Sequence, residues 1–142
     1  MDCIFCKIAK GEIPCFKVFE DGNHLAFLDI SPCSDGHTVV IPKKHSVSFL
    51  DLNEKEAGEL FSFVNAVSKK IYDPLSADGL TIGSNIYESA GQTVMHTHIH
   101  IIPRYEGDGG GSTHSVVCSA QSSDMNFLAQ IHKKITESSR AE

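Results

Sequence analysis

The sequence predicts an α+β fold with several short strands before and after one long helix. Several short runs are rich in β-branched and aromatic side chains and are bounded by Gly, Pro, Asn or Asp, as strands usually are. One longer run instead repeats apolar side chains at helical spacing. The expected strands are residues 16–20, 24–29, 37–41, 80–86 and 96–102, and the expected long helix is 53–72.

Composition narrows the class of function. The chain has 142 residues, 41% of them hydrophobic and 21% charged, which predicts one globular domain over 1–142. Its net charge is −6 and its Lys and Arg residues are scattered, which argues against general binding of nucleic acid or an anionic membrane. No apolar run approaches the roughly 20 residues of a membrane span, and no basic and apolar leader begins the chain. Five cysteines, an odd number, look like reduced thiols, so the expected compartment is the cytoplasm.

A Cys-x-x-Cys pair, Cys3 and Cys6, opens the chain. A redox motif of this kind would follow a strand and open a helix, and only two residues precede Cys3. A metal site would need two more ligands from elsewhere in the chain, for which His is the commonest type. Both interpretations are open at this point.

The first two strands are predicted to form a hairpin. The run 16–20 leads into a turn at 21–23, whose Asp-Gly-Asn sequence has hairpin chemistry, and 24–29 returns. Both faces of the return strand are mostly apolar, which favours burial on both sides. Asp29 ends this strand, and it is either a surface acid or a ligand-binding carboxylate. His45 follows the next strand in a loop, where it means little without partners.

The helix at 53–72 has clear end signals. Asn53 and Glu56 have the spacing of a capping box, and Pro74 lies just beyond the end. About 20 residues at 1.5 Å each give roughly 30 Å, enough to cross a small sheet. The apolar face is assigned to core packing; it contains Ala57, Leu60, Phe61, Val64, Val67 and Ile71.

The strand at 80–86 and the loop after it suggest a ligand pocket. One face of this strand has small or polar residues, including Asn85, and so leaves room for a ligand. In the loop, Gly91 would let backbone N–H groups approach an anion, and Thr93 adds a hydroxyl donor. The loop is therefore either a phosphate cradle or an ordinary turn.

Three of the eight histidines, His96, His98 and His100, occupy alternate positions. The residues between and after them are β-branched, which favours a strand that ends at Pro103. Side chains alternate along a strand, so all three imidazoles should project from one face, with neighbours about 6–7 Å apart. A solvated polar face rarely repeats the one side chain that titrates near neutral pH. A metal site and a catalytic site are the remaining interpretations.

The C-terminal part is expected to be less regular. The glycine-rich run 106–112 is expected to be a flexible loop or flap, and Val116 with Val117 a short edge strand. Ser123 or Asp124 can cap a last helix, expected over about 124–136. No repeat and no domain boundary is expected.

Several separated segments together resemble the histidine-triad (HIT) nucleotide-binding family over about residues 3–105. The signature of alternating histidines and apolar residues appears at 96–102, with Thr97 in place of an apolar residue. The resemblance implies an antiparallel sheet of about five strands, one long helix, shorter N- and C-terminal helices, and a homodimer. The other matching segments are 3–8, 25–32, 40–45, Asn85 and 91–93.

The resemblance also implies an activity: attack on the α-phosphate of an adenylate derivative through a covalent nucleotidyl-histidine intermediate, releasing nucleoside monophosphate. A purine nucleotide is the implied substrate, with no nucleic-acid or membrane partner. His98 matches the nucleophile and His100 the residue that contacts the phosphoryl group. The implied binding residues are Asn85, Gly91 and Thr93 for phosphate, Asp29 for ribose, and Cys3, Cys6, His45 and His96 for a structural Zn²⁺.

Alternatives to this activity need weighing. Related nucleotidylyltransferases have Gln at the third histidine and much longer chains, so His100 and the length favour a hydrolase. A nucleoside phosphoramidate and a dinucleoside polyphosphate are equally compatible substrates. A single catalytic zinc held by all three histidines fits poorly, because ligands 6–7 Å apart on one strand do not surround one tetrahedral ion. A nucleotide-binding regulatory protein with incidental turnover is the other alternative.

Overall fold

The computed structural model describes residues 2–117 and 124–138. Its five-stranded antiparallel sheet has the order β1-β2-β3-β5-β4, so the predicted α+β class is confirmed. The chain divides into two compact units, Met1–Gly110 with the sheet and Gly111–Glu142 with the last helix. The strands are β1 (Lys17–Glu20), β2 (His24–Leu28), β3 (Thr38–Pro42), β4 (Gly79–Gly83) and β5 (Ile99–Arg104); the helices are α1 (Ile4–Ala9), α2 (Glu54–Tyr72) and α3 (Met125–Ser138).

The long helix α2 covers one face of the sheet. Its predicted capping box is present: the Asn53 side chain accepts from the Glu56 N–H (2.9 Å), and the Glu56 carboxylate accepts from the Asn53 N–H (3.1 Å). Its apolar stripe packs against inward side chains of β2, β3 and β5. The buried cluster consists of Ala26, Val40, Leu60, Phe63, Val64, Val67, Ile71, Ile99 and Ile101.

The opposite face of the sheet is covered by α1 and carries His100. Phe5 and Ile8 of α1 pack against a second buried cluster made by β2 and β3. Side chains alternate along β5, so Ile99 and Ile101 face α2 while His100 lies on the α1 face. The second cluster consists of Leu25, Phe27, Val39 and Ile41.

The histidine strand differs from its predicted bounds of 96–102. The chain bends at His96, whose N–H donates to the Val94 carbonyl, and β5 begins only at Ile99. It also continues through Pro103, where the prediction ended it. Pro103 is tolerated because the β3 pairing stops at Ile101, so its missing N–H is on a side without a neighbouring strand.

The start of the glycine-rich run, expected to be a flexible loop or flap, lies outside the helices and strands and forms a hydrogen-bonded turn. The Asp108 carboxylate accepts from Arg104 Nε (2.7 Å), from the Tyr105 N–H (3.1 Å) and from the Gly110 N–H (2.8 Å). The Arg104 guanidinium and these N–H groups hold the pKa of Asp108 well below its usual range. Gly109 has φ +74°, which explains the need for glycine in the turn.

The second unit contains α3 and no strand in its described part. The predicted edge strand at Val116 and Val117 is wrong: these residues follow a short 3-10 turn, and no strand of the sheet pairs with them. The predicted last helix is present, and Asp124 caps it by accepting from the Asn126 N–H; Ser123 lies outside the described residues. Within 2–117 and 124–138, no helix is both long and apolar enough to cross a membrane.

Candidate active site and metal centre

The central histidine has a defined tautomer. His98 Nδ1 lies 2.6 Å from the His96 carbonyl oxygen, and a ring nitrogen facing a carbonyl must donate. Its Nε2 therefore keeps a lone pair, and it forms no hydrogen bond to any described residue. The Phe5 ring packs edge-on against the imidazole, with the ring centroids 5.2 Å apart. His98 is thus buried and oriented, and in its neutral form the proton is on Nδ1 and the lone pair on Nε2.

A chain of hydrogen bonds also fixes the tautomer of His100. The Cys33 N–H donates to His37 Nδ1 (3.0 Å), so a neutral His37 carries its proton on Nε2. That Nε2 donates to His100 Nδ1 (2.9 Å), which leaves the His100 proton on its own Nε2. Burial, with His98 and His37 close by, lowers the pKa of His100 to about 4. His100 is therefore a neutral hydrogen-bond donor at physiological pH.

Asp29 lines an apolar cavity of about 350 Å³, whose lining also includes Phe5, the ring that packs against His98. One of its oxygens is 3.6 Å from His37 Nε2, and the other accepts from the Ser31 N–H (2.8 Å). No other carboxylate lines this cavity, whose remaining lining is almost wholly apolar. The lining is Ile4, Phe5, Ile8, Ile13, Pro14, Cys15, Phe16, Phe27, Leu28, Asp29, Ile30 and Val39.

The three predicted phosphate-pocket residues lie around the start of β5. Gly83, the last residue of β4, pairs with His100, and the Ser84 hydroxyl next to Asn85 donates to the His98 carbonyl (2.6 Å). Gly91 has φ +95°, and a Cβ placed there would lie 3.7 Å from the Asn85 amide nitrogen. Neither the Asn85 amide nor the Thr93 hydroxyl bonds to another described residue. Both groups are available to a ligand.

A larger cavity, about 620 Å³, opens beside the start of α2. Its lining includes His45 but none of Asp29, His98 and His100. Lysines in it are already paired, as in Lys44 with Glu56 (2.6 Å). The smaller cavity is the one lined by Asp29, and neither lining includes His98 or His100.

The other four predicted residues form a separate cluster. Cys3 Sγ lies 3.4 Å from His96 Nδ1, Cys6 Sγ lies 3.3 Å from His45 Nδ1, and Cys6 Sγ lies 3.5 Å from His96 Nδ1. All four donor atoms are within 4.8 Å of one another. The structure thus brings together all four predicted metal ligands, and of the three alternating histidines only His96 belongs to this cluster.

This donor set fits a tetrahedral Zn²⁺. Bond lengths of about 2.3 Å to sulfur and 2.0–2.1 Å to nitrogen place tetrahedral donors about 3.5 Å apart. His96 Nε2 donates to the Pro42 carbonyl (2.8 Å), which keeps Nδ1 unprotonated and facing the two cysteines. Two thiolates and two neutral imidazoles would close the coordination sphere, as in structural sites. The cluster can hold a metal.

Comparison with known proteins gives a consistent result. A family model described as "HIT domain" matches residues 10–107. This chain belongs to the HIT family. The HIT-family crystal structure of SMU.412c from Streptococcus mutans superposes with a TM-score of 0.88 and 39% identity, covering 96% of this chain and 85% of that chain.

Two HIT-family relatives of this chain have named activities. The adenosine 5′-monophosphoramidase hnt1 of Schizosaccharomyces pombe is 42% identical over 104 residues, 73% of this chain and 75% of that protein. The adenylylsulfatase HINT3 of Arabidopsis thaliana is 41% identical over 107 residues, 75% of this chain and 54% of that protein.

Two residues that contact parts of the candidate site were not identified from the sequence. His37 appeared only as the first residue of a predicted strand, because its contact with His100 depends on the pairing of β3 with β5. Gln92 appeared only within a family segment, although its side chain is 97% buried (3% exposed) and fully engaged in hydrogen bonds. A polar residue inside a turn gives no local signal of such burial.

Proposed function

We propose that this protein is a hydrolase that attacks the α-phosphate of an adenylate derivative and releases the nucleoside monophosphate. The observation that carries the proposal is the tautomer of His98, whose neutral ring keeps a lone pair on Nε2 and packs against Phe5, a residue that lines an apolar cavity with a single carboxylate. An aromatic and aliphatic cavity suits a nucleobase, and a carboxylate at its edge suits the hydroxyls of a ribose. Asp29, Asn85, Gly91 and Thr93 are the proposed binding residues.

In the first step, His98 Nε2 forms a bond to phosphorus and the leaving group departs with its bonding electron pair. Negative charge develops on the phosphoryl oxygens. The Nε2–H of His100, the Asn85 amide and the Thr93 hydroxyl are donors that can stabilise this charge without reorganising. The product of the step is a nucleotidyl-histidine on His98.

In the second step, water attacks phosphorus and the bond to His98 Nε2 breaks. Nucleoside monophosphate leaves, and the imidazole returns to the neutral tautomer held by the His96 carbonyl. The same donors serve both steps, since the same oxygens carry the charge. No step requires the metal.

Support for an adenylate comes from the two named relatives. Both names, adenosine 5′-monophosphoramidase and adenylylsulfatase, specify an adenosine-phosphate group with a different leaving group. The adenylate side is therefore the shared part of the substrate. We include phosphoramidates and dinucleoside polyphosphates as the leaving-group classes to be tested.

The metal centre, in this proposal, holds one structural Zn²⁺ through Cys3, Cys6, His45 and His96. When bound, the ion would tie α1 to the start of β5. His96 then fixes its own carbonyl, which is the acceptor for His98 Nδ1. Zinc would thus stabilise the fold and the nucleophile's orientation together.

A homodimer in the cytoplasm completes the proposal. Strand β4 is an edge of the sheet, and its Ile82 side chain is 41% exposed. Unpaired N–H and C=O groups on an edge strand favour pairing with a second strand. The thiols of Cys3, Cys6, Cys15 and Cys33 form no disulfide, in keeping with a reducing compartment.

The direct test compares hydrolysis of adenosine 5′-phosphoramidate and diadenosine tetraphosphate by the wild type and His98→Ala. The proposal expects turnover of at least one substrate by the wild type and a loss of about 10³-fold or more in kcat in the variant. Binding without turnover of either substrate would favour a nucleotide-binding regulatory role.

A further inference from the structure

Tyr87 has a backbone conformation that nearly all residues avoid. Its φ is +66° and its ψ is +166°. This region is essentially restricted to glycine, because a Cβ clashes with the neighbouring peptide groups. A tyrosine persists there only when surrounding contacts hold it. The residue starts the turn that leads to the histidines, so the contacts that hold it bear on the site.

Gln92 supplies those contacts. Its Oε1 accepts from the Tyr87 N–H (2.8 Å), and its Nε2 donates to the carbonyls of Val47 (2.6 Å) and Val94 (3.0 Å). The Tyr87 carbonyl in turn accepts from the N–H groups of Ala90 and Gln92, both at 3.1 Å. Both backbone polar groups of Tyr87 are thus engaged, and one buried amide joins three segments of chain.

The turn held in this way is flanked by the donors proposed for the phosphoryl group. Asn85 lies two residues before Tyr87, and Thr93 directly follows Gln92. Gly91, inside the turn, lies against the Asn85 amide. If Tyr87 relaxed to an ordinary φ, the chain direction would change between these donors and separate them from a shared phosphate.

We propose that Gln92 is a positioning residue that holds Tyr87 in its glycine-like conformation and so keeps Asn85 and Thr93 directed at the substrate phosphate. The phosphate as ligand rests on the proposed function. Gln92 touches no reacting atom in this arrangement; it acts through the backbone of the turn. The cost of the strain at Tyr87 is offset by the three hydrogen bonds of the amide.

The test uses removal and rescue. Gln92→Met keeps the length of the side chain and removes its hydrogen bonds, while Tyr87→Gly removes the strain that those bonds hold. Adenosine monophosphate and adenosine are the probes, measured by calorimetry on the zinc-loaded chain. In Gln92→Met we expect about tenfold weaker binding of the monophosphate and unchanged binding of adenosine, which lacks the phosphate.

The binding measurement on the double variant decides between the proposal and its alternatives. In the double variant Gln92→Met/Tyr87→Gly, glycine adopts the required φ and ψ without strain, so monophosphate binding should recover at least half of the lost affinity on a logarithmic scale. Val67→Ala is the stability control, since it weakens the α2 core and should leave both affinities unchanged. Equal losses for both probes, no loss for either, or no rescue by Tyr87→Gly would overturn the proposal.

Turnover separates this proposal from the function on which it rests. The kcat for adenosine 5′-phosphoramidate should fall about tenfold in Gln92→Met and recover in the double variant. Wild-type turnover by His98→Ala would refute the assignment of His98 as nucleophile. The binding of adenosine monophosphate and adenosine by the Gln92 variants would still decide the role of Gln92.

Discussion

The neutral state of His100 has a consequence for stability at low pH. Its pKa is lowered to about 4 in the folded chain, whereas an unfolded histidine takes up a proton near pH 6.5. Proton uptake below about pH 6.5 therefore favours the unfolded state, and stability falls as the pH falls toward about 4. A single such group changes the slope of the free energy of unfolding by at most about 1.4 kcal/mol per pH unit.

His100→Gln tests this linkage, because glutamine keeps a donor and cannot titrate. The free energy of unfolding can be measured by urea denaturation between about pH 4 and 7 at constant zinc. As the pH falls, it should decline less steeply in the variant than in the wild type. Parallel curves for the two proteins would mean that His100 is not held neutral by the fold.

Asp29 is predicted to bind the ribose hydroxyls of the substrate. A carboxylate that accepts hydrogen bonds from both hydroxyls contributes about 1.5–3 kcal/mol to the free energy of binding, because its negative charge strengthens each hydrogen bond. Asp29→Asn should weaken binding of adenosine monophosphate more than binding of its 2′-deoxy analogue, measured by calorimetry. If both ligands lose the same affinity, the contact of Asp29 with His37 is its main role.

Thr97 departs from the family signature, and its contact with a residue distant in sequence explains why a polar side chain is tolerated there. The sequence has threonine where the family signature has an apolar residue. In the fold, Thr97 is buried, and its hydroxyl lies 2.6 Å from the Ser46 hydroxyl, while its N–H donates to the Ser46 carbonyl. The polar side chain is satisfied by a segment that no local pattern identifies.

At the scale of elements, the metal centre should couple α1 to β5. Cys6→Ser removes one of four ligands, so the zinc content should fall well below one ion per chain and the melting temperature should drop. Cys15→Ser is the matched control, because Cys15 is also half-buried but is not one of the four ligands. Elemental analysis and thermal melts measure both effects. Zinc-free wild-type protein, or unchanged melting in Cys6→Ser, would contradict a structural zinc.

The type and approximate place of most helices and strands could be predicted from the sequence, whereas strand ends, which depend on pairing, could not. The capping box joins Asn53 and Glu56, which are only three residues apart in sequence, and α2 begins directly after Asn53 as the box predicts. Val116 and Val117 have high β propensity, but no strand of the sheet pairs with them. Pro103 remains inside β5 because only one side of the strand is paired at that point.

At the scale of the whole molecule, the site combines segments from most of the first unit. The Cys-x-x-Cys pair and the alternating histidines were singled out by residue type and spacing, while the full set of candidate metal ligands and the role of each residue came from the resemblance. His37 and Gln92 could not be found in this way, because their contacts with His100 and Tyr87 follow from sheet pairing and turn geometry. Sequence patterns record residue types and spacing, whereas these roles depend on burial.

The exposed edge at β4 predicts self-association. Light scattering after size-exclusion chromatography should give twice the chain mass of 15.5 kDa. Ile82→Lys should reduce this to the mass of a single chain, since a charge at a sheet edge opposes strand pairing. Lys17→Gln on β1, at the other edge, should leave the mass unchanged. A wild-type protein of single-chain mass would contradict the dimer.

The central claim is that His98 is a covalent nucleophile, and trapping its adduct tests it most directly. Wild-type protein mixed with adenosine 5′-phosphoramidate, quenched within milliseconds and digested, should yield an adenylate on the peptide that contains His98. His98→Ala should yield none and should lose about 10³-fold or more in kcat while still binding adenosine monophosphate. An adduct on a different residue, or near-normal turnover by His98→Ala, would contradict the mechanism.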